Sequence, residues 1–490
     1  MAYLFLASLP LGAQSHSTFE ARVNSLVRSG TLPSLAVGVL KDGQIVYEQA
    51  FGLADHERKV AATVHTPYQL ASLTKPFTAT AVMQLAQSGR LGLDDPITRY
   101  VRLQKADSSF ADPTLRQVLN HTAGLGTYFD IYYADEAIRP VSFAEAWAQY
   151  GIQFQPPGLV CEYSNLGYGL LGHVVEQVTG QAFGDYVQQH IFAPLGMENS
   201  FLVDSAAGSD HLAPKYDPEL EPLPEVWNNT PGAGNLAASV RDLLTFGRAQ
   251  LNPTDFPGLP TEAITEMHTY REPDALFHYY QATRYTLGWY RRDDDGGQPV
   301  VWHEGGMMGA STVLKLYPEE DLALVLLTNT YQPAVLRQLT DALTSEFIAK
   351  YQPSPLNELA EYTSVAADSA WLGTWEGWVQ AGETRMPLSL SIAADGIELS
   401  YTDERYRSFL TDGQPLPIRS QLLFGAVNQS YFVGTGMGEL PTADRRGALP
   451  HLWSFKFYRE GNTLRGTLVS LAAGTREYYA KPYALELRKR

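Results

Sequence analysis

Short apolar runs open and close the first part of the chain, and the segment between them follows a longer period. Leu35 to Leu40 and Gln44 to Phe51 read as two strands joined at Asp42-Gly43, a dipeptide suited to a tight hairpin turn. From Ser72 to Leu91 the spacing changes. Phe77, Ala81, Met83, Leu85 and Leu91 fall close to a 3.6-residue period that Gly89 and Gly92 end, which predicts a helix. Tyr168 to Val178 and Gly184 to Phe192 predict two more helices in a middle region broken by Gly and Pro. Strands return at Ser311 to Tyr317 and Leu322 to Thr328, around Pro318-Glu319-Glu320-Asp321, and Ala334 to Tyr351 predicts an amphipathic helix. Strands from both ends of this region are expected to share one sheet beside a helical lobe, an α+β arrangement.

Past Tyr351 the texture is different. Gln352 to Leu356, with Pro353 and Pro355, predicts a linker that runs to about residue 362. Beyond it, short alternating runs follow one another: Leu388 to Ile392 and Ile397 to Tyr401 around Asp395-Gly396, then Trp453 to Tyr458, Leu464 to Val469 and Glu477 to Tyr483. Such spacing predicts a small all-β barrel or sandwich over residues 363–490.

Composition narrows the function classes. A chain of 490 residues with 44% hydrophobic and 18% charged positions has ample material for more than one core. The net charge of -17 is dispersed and no basic run is present, so nucleic acid is excluded as a partner. The single cysteine, Cys161, excludes an intramolecular disulfide and any CxxC metal or redox site, and it reads as a small buried apolar residue. No apolar stretch approaches the roughly 18 residues of a membrane-spanning helix. The opening MAYLFLASLPLGAQS resembles the apolar and cleavage regions of a secretory signal without its basic start, over residues 1–14. It makes a periplasmic or secreted protein the expectation, with a cytoplasmic one as the alternative.

Candidate chemistry begins at Ser72-Leu73-Thr74-Lys75. Positions i and i+3 of a helix share a face, so the Ser72 hydroxyl and the Lys75 amine can approach each other. A helix N-terminus favours negative charge developing on a nucleophile. A serine needs a base to take its proton, and a lysine can be that base if burial lowers its pKa. The tetrapeptide by itself reads first as a capping serine and a solvated lysine on a surface helix, and only second as a catalytic pair.

Its context is more specific. The chain carries, in order, Leu91-Gly92-Leu93-Asp94-Asp95-Pro96, Asn120-His121-Thr122-Ala123-Gly124, Tyr163-Ser164-Asn165 and His303-Glu304-Gly305-Gly306. With these segments, residues 18–351 resemble the serine β-lactamase and penicillin-binding-protein superfamily. The likeness is to its class C-like branch of D-Ala-D-Ala carboxypeptidases, D-aminopeptidases and lactamase-like esterases. That resemblance implies a β-lactamase-like antiparallel sheet with a helical lobe, and a terminal domain similar to the lipocalin-like barrels that follow some members. It implies Ser72 as acylated nucleophile, Lys75 as its basic partner and Tyr163 as a proton carrier. Asn165, His303 and Gly305 would orient lysine and substrate, and the backbone amides of Ser72 and Gly306 would form the oxyanion hole. Glycine at 305 and 306 would let the chain approach a substrate closely. His121 reads as structural, and Pro231-Gly232-Ala233-Gly234-Asn235-Leu236 reads either as a loop lining the site or as a turn before a helix at Ser239.

The third motif departs from the Lys-Thr-Gly of true β-lactamases. His303 is not a fixed cation, and Glu304 adds negative charge beside the site. Both argue for a D-peptidase, carboxypeptidase-type or esterase activity and against more than weak β-lactamase activity. The expected partners are small esters, amides or D-amino-acid peptides. A non-catalytic peptidoglycan- or ligand-binding protein on the same scaffold is the other reading. G-x-S-x-G, H-E-x-x-H and G-x-x-x-x-G-K are all missing, so neither metal nor cofactor is expected.

Overall fold

The computed structural model describes residues 16–135, 139–203, 211–252, 254, 256, 258–271, 276–277, 284–293, 298–349, 351–353, 369–381, 384–393, 397–403, 416–424, 430–438, 451–473 and 478–490. The signal-like segment, most of the linker and the Asp395-Gly396 turn lie outside the described residues.

Strands from both ends of the first region do share one sheet. Its eight antiparallel strands run in the order Arg284–Tyr285, Tyr290–Arg292, Val300–Met307, Ala310–Tyr317, Leu322–Thr328, Ser34–Lys41, Gln44–Asp55 and Val60–Ala61. The closing pair joins Ser34–Lys41 to Leu322–Thr328, with Ala36 opposite Leu327 and Lys41 opposite Leu322. The first hairpin turns at Asp42 and Gly43, with φ of 51° and 70°, as the twist of a two-residue turn requires. Leu322–Thr328 is buried along its whole length because both sheet faces are covered. Leu35, Val37 and Val39 pack with Phe19, Leu336 and Leu339 of the two terminal helices, Ser17–Arg28 and Pro333–Phe347. Ala36 and Leu40 face the opposite core with Val240 and Leu244 of the helix Val240–Leu251. The helix expected over 334–351 ends at Phe347, where Ile348 turns extended.

The helical lobe sits on that second face. The helix expected from Ser72 begins later, because Ala71–Thr74 form a 3₁₀ turn and the α-helix runs Lys75–Gln87. Every residue from Lys75 to Leu85 is buried, the mark of a helix enclosed on all sides. Asn165–Thr179 starts at Ser164, whose hydroxyl accepts the Gly167 N–H at 3.0 Å, and stops at Gly180, φ 72°. No described helix is long and apolar enough to cross a membrane.

The terminal region forms eight antiparallel strands, Gly373–Ala381, Thr384–Ile392, Ile397–Tyr401, Leu416–Phe424, Ser430–Gly438, His451–Glu460, Thr463–Ala473 and Tyr478–Lys489. Each pairs with the next, and the last returns to the first with Trp375 opposite Lys489, closing a barrel. Its last strand also pairs outward, Tyr479 opposite Asp130 and Ala480 opposite Phe129. The segment Phe129–Tyr133, which lay in the expected helical middle, is therefore a strand that joins the barrel to the hydrolase region.

Candidate active site

The turn bearing Ser72 is clamped before its helix begins. The Leu70 N–H donates to Leu236 O at 2.7 Å, and Thr312 Oγ1 donates to Leu70 O at 2.8 Å. Immediately after this doubly held residue Ala71 adopts φ 49°, a left-handed conformation that costs a non-glycine residue roughly 1–2 kcal/mol. Gly305 explains the close approach: a Cβ there would lie 1.9 Å from Leu70 O and 2.5 Å from Thr312 Oγ1. The bare backbone of Gly305 makes room for the nucleophile's own turn, and the same residue borders a cavity beside Ser72.

Lys75, one turn on, is wholly out of solvent. Its Nζ donates to Ser72 Oγ at 3.1 Å, Asn165 Oδ1 at 2.7 Å and Ala233 O at 2.8 Å. Burial alone depresses its pKa well below the usual lysine range. The same nitrogen stands 4.7 Å from the centre of the Tyr163 ring and 5.6 Å from that of Tyr168. Serine, lysine, tyrosine and asparagine, taken from two separate segments, thus meet around one amine. A lowered pKa is what this amine needs to take up the proton of the serine hydroxyl.

Ala233 is a participant that sequence reasoning left undecided. Pro231–Gly234 form a short helical turn whose Ala233 carbonyl holds the lysine. A lattice of amide bonds fixes that turn: Asn228 N–H to Asn235 Oδ1 at 3.1 Å, Asn235 Nδ2 to Asn228 O at 2.8 Å and Thr230 N–H to Asn228 Oδ1 at 2.9 Å. The Gly-rich run with flanking Asn was the available signal.

The tyrosine is half-buried and held by its neighbours. Behind it lies His121, φ 63°, whose ring centre is 4.5 Å from that of Tyr163 and 4.3 Å from that of Tyr285. His121 Nδ1 accepts the Ser164 N–H at 3.1 Å. Burial, with Lys75 and His303 nearby, pushes its pKa well down, so a neutral ring fills this layer. Cys161 is buried, its Sγ 3.5 Å from Asn120 O.

His303 is placed differently from its expected role. Its strand alternates, so His303 and Gly305 turn inward while Glu304 and Gly306 open outward. His303 is fully buried, with Nε2 2.9 Å from the Tyr285 hydroxyl and Nδ1 2.7 Å from Glu304 O. Its pKa is pushed down to about 3 by burial and then by Lys75. The ring is a neutral support behind the site and lies outside both cavities that border Ser72. Tyr285, its partner, gave no signal in the sequence.

Two cavities flank the nucleophile, and Ser72, Tyr163 and Gly306 border both. One, of about 230 Å³, carries Glu304, Lys315 and Arg337 beside Tyr290 and Trp302. Glu304 is exposed on its strand and borders this cavity. Packing around its carboxyl raises its pKa, while Arg337 and Lys315 pull it back. The other, of about 250 Å³, has an apolar wall of Phe129, Ile131 and Met307. Among the described residues no group of His, Cys, Asp and Glu is arranged to hold a metal ion.

The geometry can be set beside known proteins. A family model described as Beta-lactamase matches residues 19–347. Penicillin-binding protein 4 of Amycolatopsis lactamdurans is 30% identical over 330 residues, 64% of this chain and 85% of that protein. Protein flp of Staphylococcus aureus strain MW2 is 27% identical over 367 residues, 72% of this chain and 71% of its own length. A crystal structure of SurE with D-Leu covers 96% of this chain and 99% of its own at 25% identity, TM-score 0.63.

Proposed function

The chain belongs to the beta-lactamase family and is a serine hydrolase, and on that premise we propose that Ser72 forms an acyl-enzyme with a D-amino-acid peptide, amide or small ester. The observation that carries the assignment is the dehydrated Lys75 amine 3.1 Å from Ser72 Oγ. The substrate carbonyl sits between the two cavities, its oxygen toward the backbone amides of Ser72 and Gly306. As Ser72 Oγ attacks, its proton passes to Lys75, with Tyr163 beside it. The tetrahedral oxyanion accepts from the two amides, each donor typically contributing about 3 kcal/mol. Collapse expels the leaving group, which takes a proton through Tyr163, and leaves the acyl ester on Ser72. Water then attacks that ester, giving up its proton to the same residues, and Ser72 regains its hydrogen as the acid departs.

Substrate class follows from the cavity walls. Phe129, Ile131 and Met307 suit an apolar side chain, and the charged cavity suits a polar or ionised end. The D-Leu in the SurE structure supports a D-configured residue as one half of the substrate. His303 stands where the lysine of Lys-Thr-Gly would be but lies outside both cavities, and the acidic Glu304 borders one of them, so a peptidase or esterase is favoured over a β-lactamase. The test is a fluorophosphonate probe followed by p-nitrophenyl esters, D-amino acid anilides and nitrocefin. Wild type is expected to label and to turn over esters or D-anilides faster than nitrocefin, and Ser72→Ala to do neither. Labelling that survives in Ser72→Ala, or nitrocefin as the best substrate, would refute the reading.

A further inference from the structure

The residue preceding Tyr163 is a carboxylate removed from water. Glu162 Oε1 accepts from Lys456 Nζ at 3.0 Å, and the side chains of lysine and carboxylate are 3% and 2% exposed. Lys456 lies on the barrel strand His451–Glu460, 294 positions further along the chain. Alternation puts Lys456 and Tyr458 on one face of that strand and Phe457 on the other. Phe457 packs inside the barrel, whereas Tyr458 packs against Phe110 and Val160 of the hydrolase region. The face bearing Lys456 is thus the docking face.

Other ties hold the same segment from the opposite side. The Glu162 N–H donates to His121 O at 2.8 Å, the Ser164 N–H to His121 Nδ1 at 3.1 Å and Ser164 Oγ to Gly126 O at 2.8 Å. The backbone on both flanks of Tyr163 is therefore fixed, and one of its anchors comes from the barrel. Pairing of Ala480 with Phe129 adds a second link, because Phe129 walls the apolar cavity.

We propose that Lys456 of the barrel is a positioning residue for Tyr163, acting through its buried ion pair with Glu162. A buried pair contributes little net stability after both charges are dehydrated, but it fixes direction, which is what a proton carrier beside Ser72 needs. The inference rests on the role given to Tyr163 above. A contrasting bridge between the same regions joins Arg465 to Asp107 at 3.0 Å and not to Glu162.

The test compares full-length Lys456→Met, Lys456→Arg, Glu162→Gln/Lys456→Met and Arg465→Met with wild type, on an ester or D-anilide that wild type turns over. Lys456→Met is expected to lower kcat by up to about 10²-fold with KM changed by less than about threefold. Lys456→Arg should recover part of the loss. The double variant, which leaves no unpaired buried charge, should regain Tm and still lack kcat, and Arg465→Met should keep kcat within about twofold. Wild-type kcat in the double variant, or no recovery at all in Lys456→Arg, would overturn the proposal. Absence of fluorophosphonate labelling in wild type would instead refute the acyl-enzyme reading, and this inference with it.

Discussion

The fully buried amine of Lys75 lies 3.1 Å from the hydroxyl of Ser72, which is itself half-buried and borders two cavities. Burial lowers the pKa of a lysine in that position, and a lowered pKa is what lets a lysine act as a base.

The cost of that arrangement gives the first prediction. Because the folded pKa of Lys75 lies below its unfolded value, the unfolded chain binds the extra proton, and stability falls as pH drops below about 10.5. Lys75→Met should therefore stabilise the protein at neutral pH, by on the order of 1–3 kcal/mol, while lowering kcat by roughly 10²–10⁴-fold. Thermal melts and ester hydrolysis check both. A destabilised but active variant would contradict the assignment.

Asn165 tunes the same proton. Its Oδ1 accepts from Lys75 at 2.7 Å, so Asn165→Asp sets a carboxylate against the amine. The carboxylate favours the ammonium form and raises the Lys75 pKa. The rise of kcat/KM with pH should move to higher pH, by about one unit or more, whereas Asn165→Ala should lower kcat without that displacement. A pH–rate profile from 5 to 10 distinguishes them.

Acid sensitivity should come from buried neutral histidines. His303 and His268 both have pKa values pushed down to about 3. Between pH 6.5 and 3 the unfolded chain binds protons that the folded one refuses, so stability is lost as pH falls through that window. Each ring should withdraw on the order of 3 kcal/mol by pH 4. His303→Gln is expected to flatten the dependence of Tm on pH, and the wild-type rate profile should carry no His303 step between pH 5 and 8.

Two adjacent glycines should behave differently. Gly305→Ala forces a methyl to within 1.9 Å of Leu70 O, which cannot yield without moving the Ser72 turn. It should cost about 1–3 kcal/mol or more and most of the activity. Gly306→Ala meets only Tyr331 Cε2 at 3.0 Å, on a ring that is 46% exposed and able to swing aside. Its Tm should stay close to that of wild type. Equal losses in both variants would show that the contact with Leu70 is not what selects glycine.

Local patterns in the chain already carried much of this. Period-two and period-3.6 spacing marked the hairpins and the helices, and the interval from Ser72 to Lys75 placed hydroxyl and amine on one helical face. Where the helix started was not legible. The turn at Ala71–Thr74 is imposed by Leu236, Thr312 and Gly305, partners far away in sequence. The same limit hid Phe129–Tyr133, whose strand character depends on pairing with the barrel.

The sequence by itself determined the order of strands and helices, the chemical groups available to the site and, by resemblance, which serine to look at. Tertiary structure alone decided that Lys75 is dehydrated, that His303 faces Tyr285 and not the cavity, and that Lys456 reaches Glu162 across 294 residues. The division is physical. Periodicity and composition report what a segment does with its nearest neighbours. Burial, pKa and the direction of a side chain are set by whatever the rest of the chain packs against it.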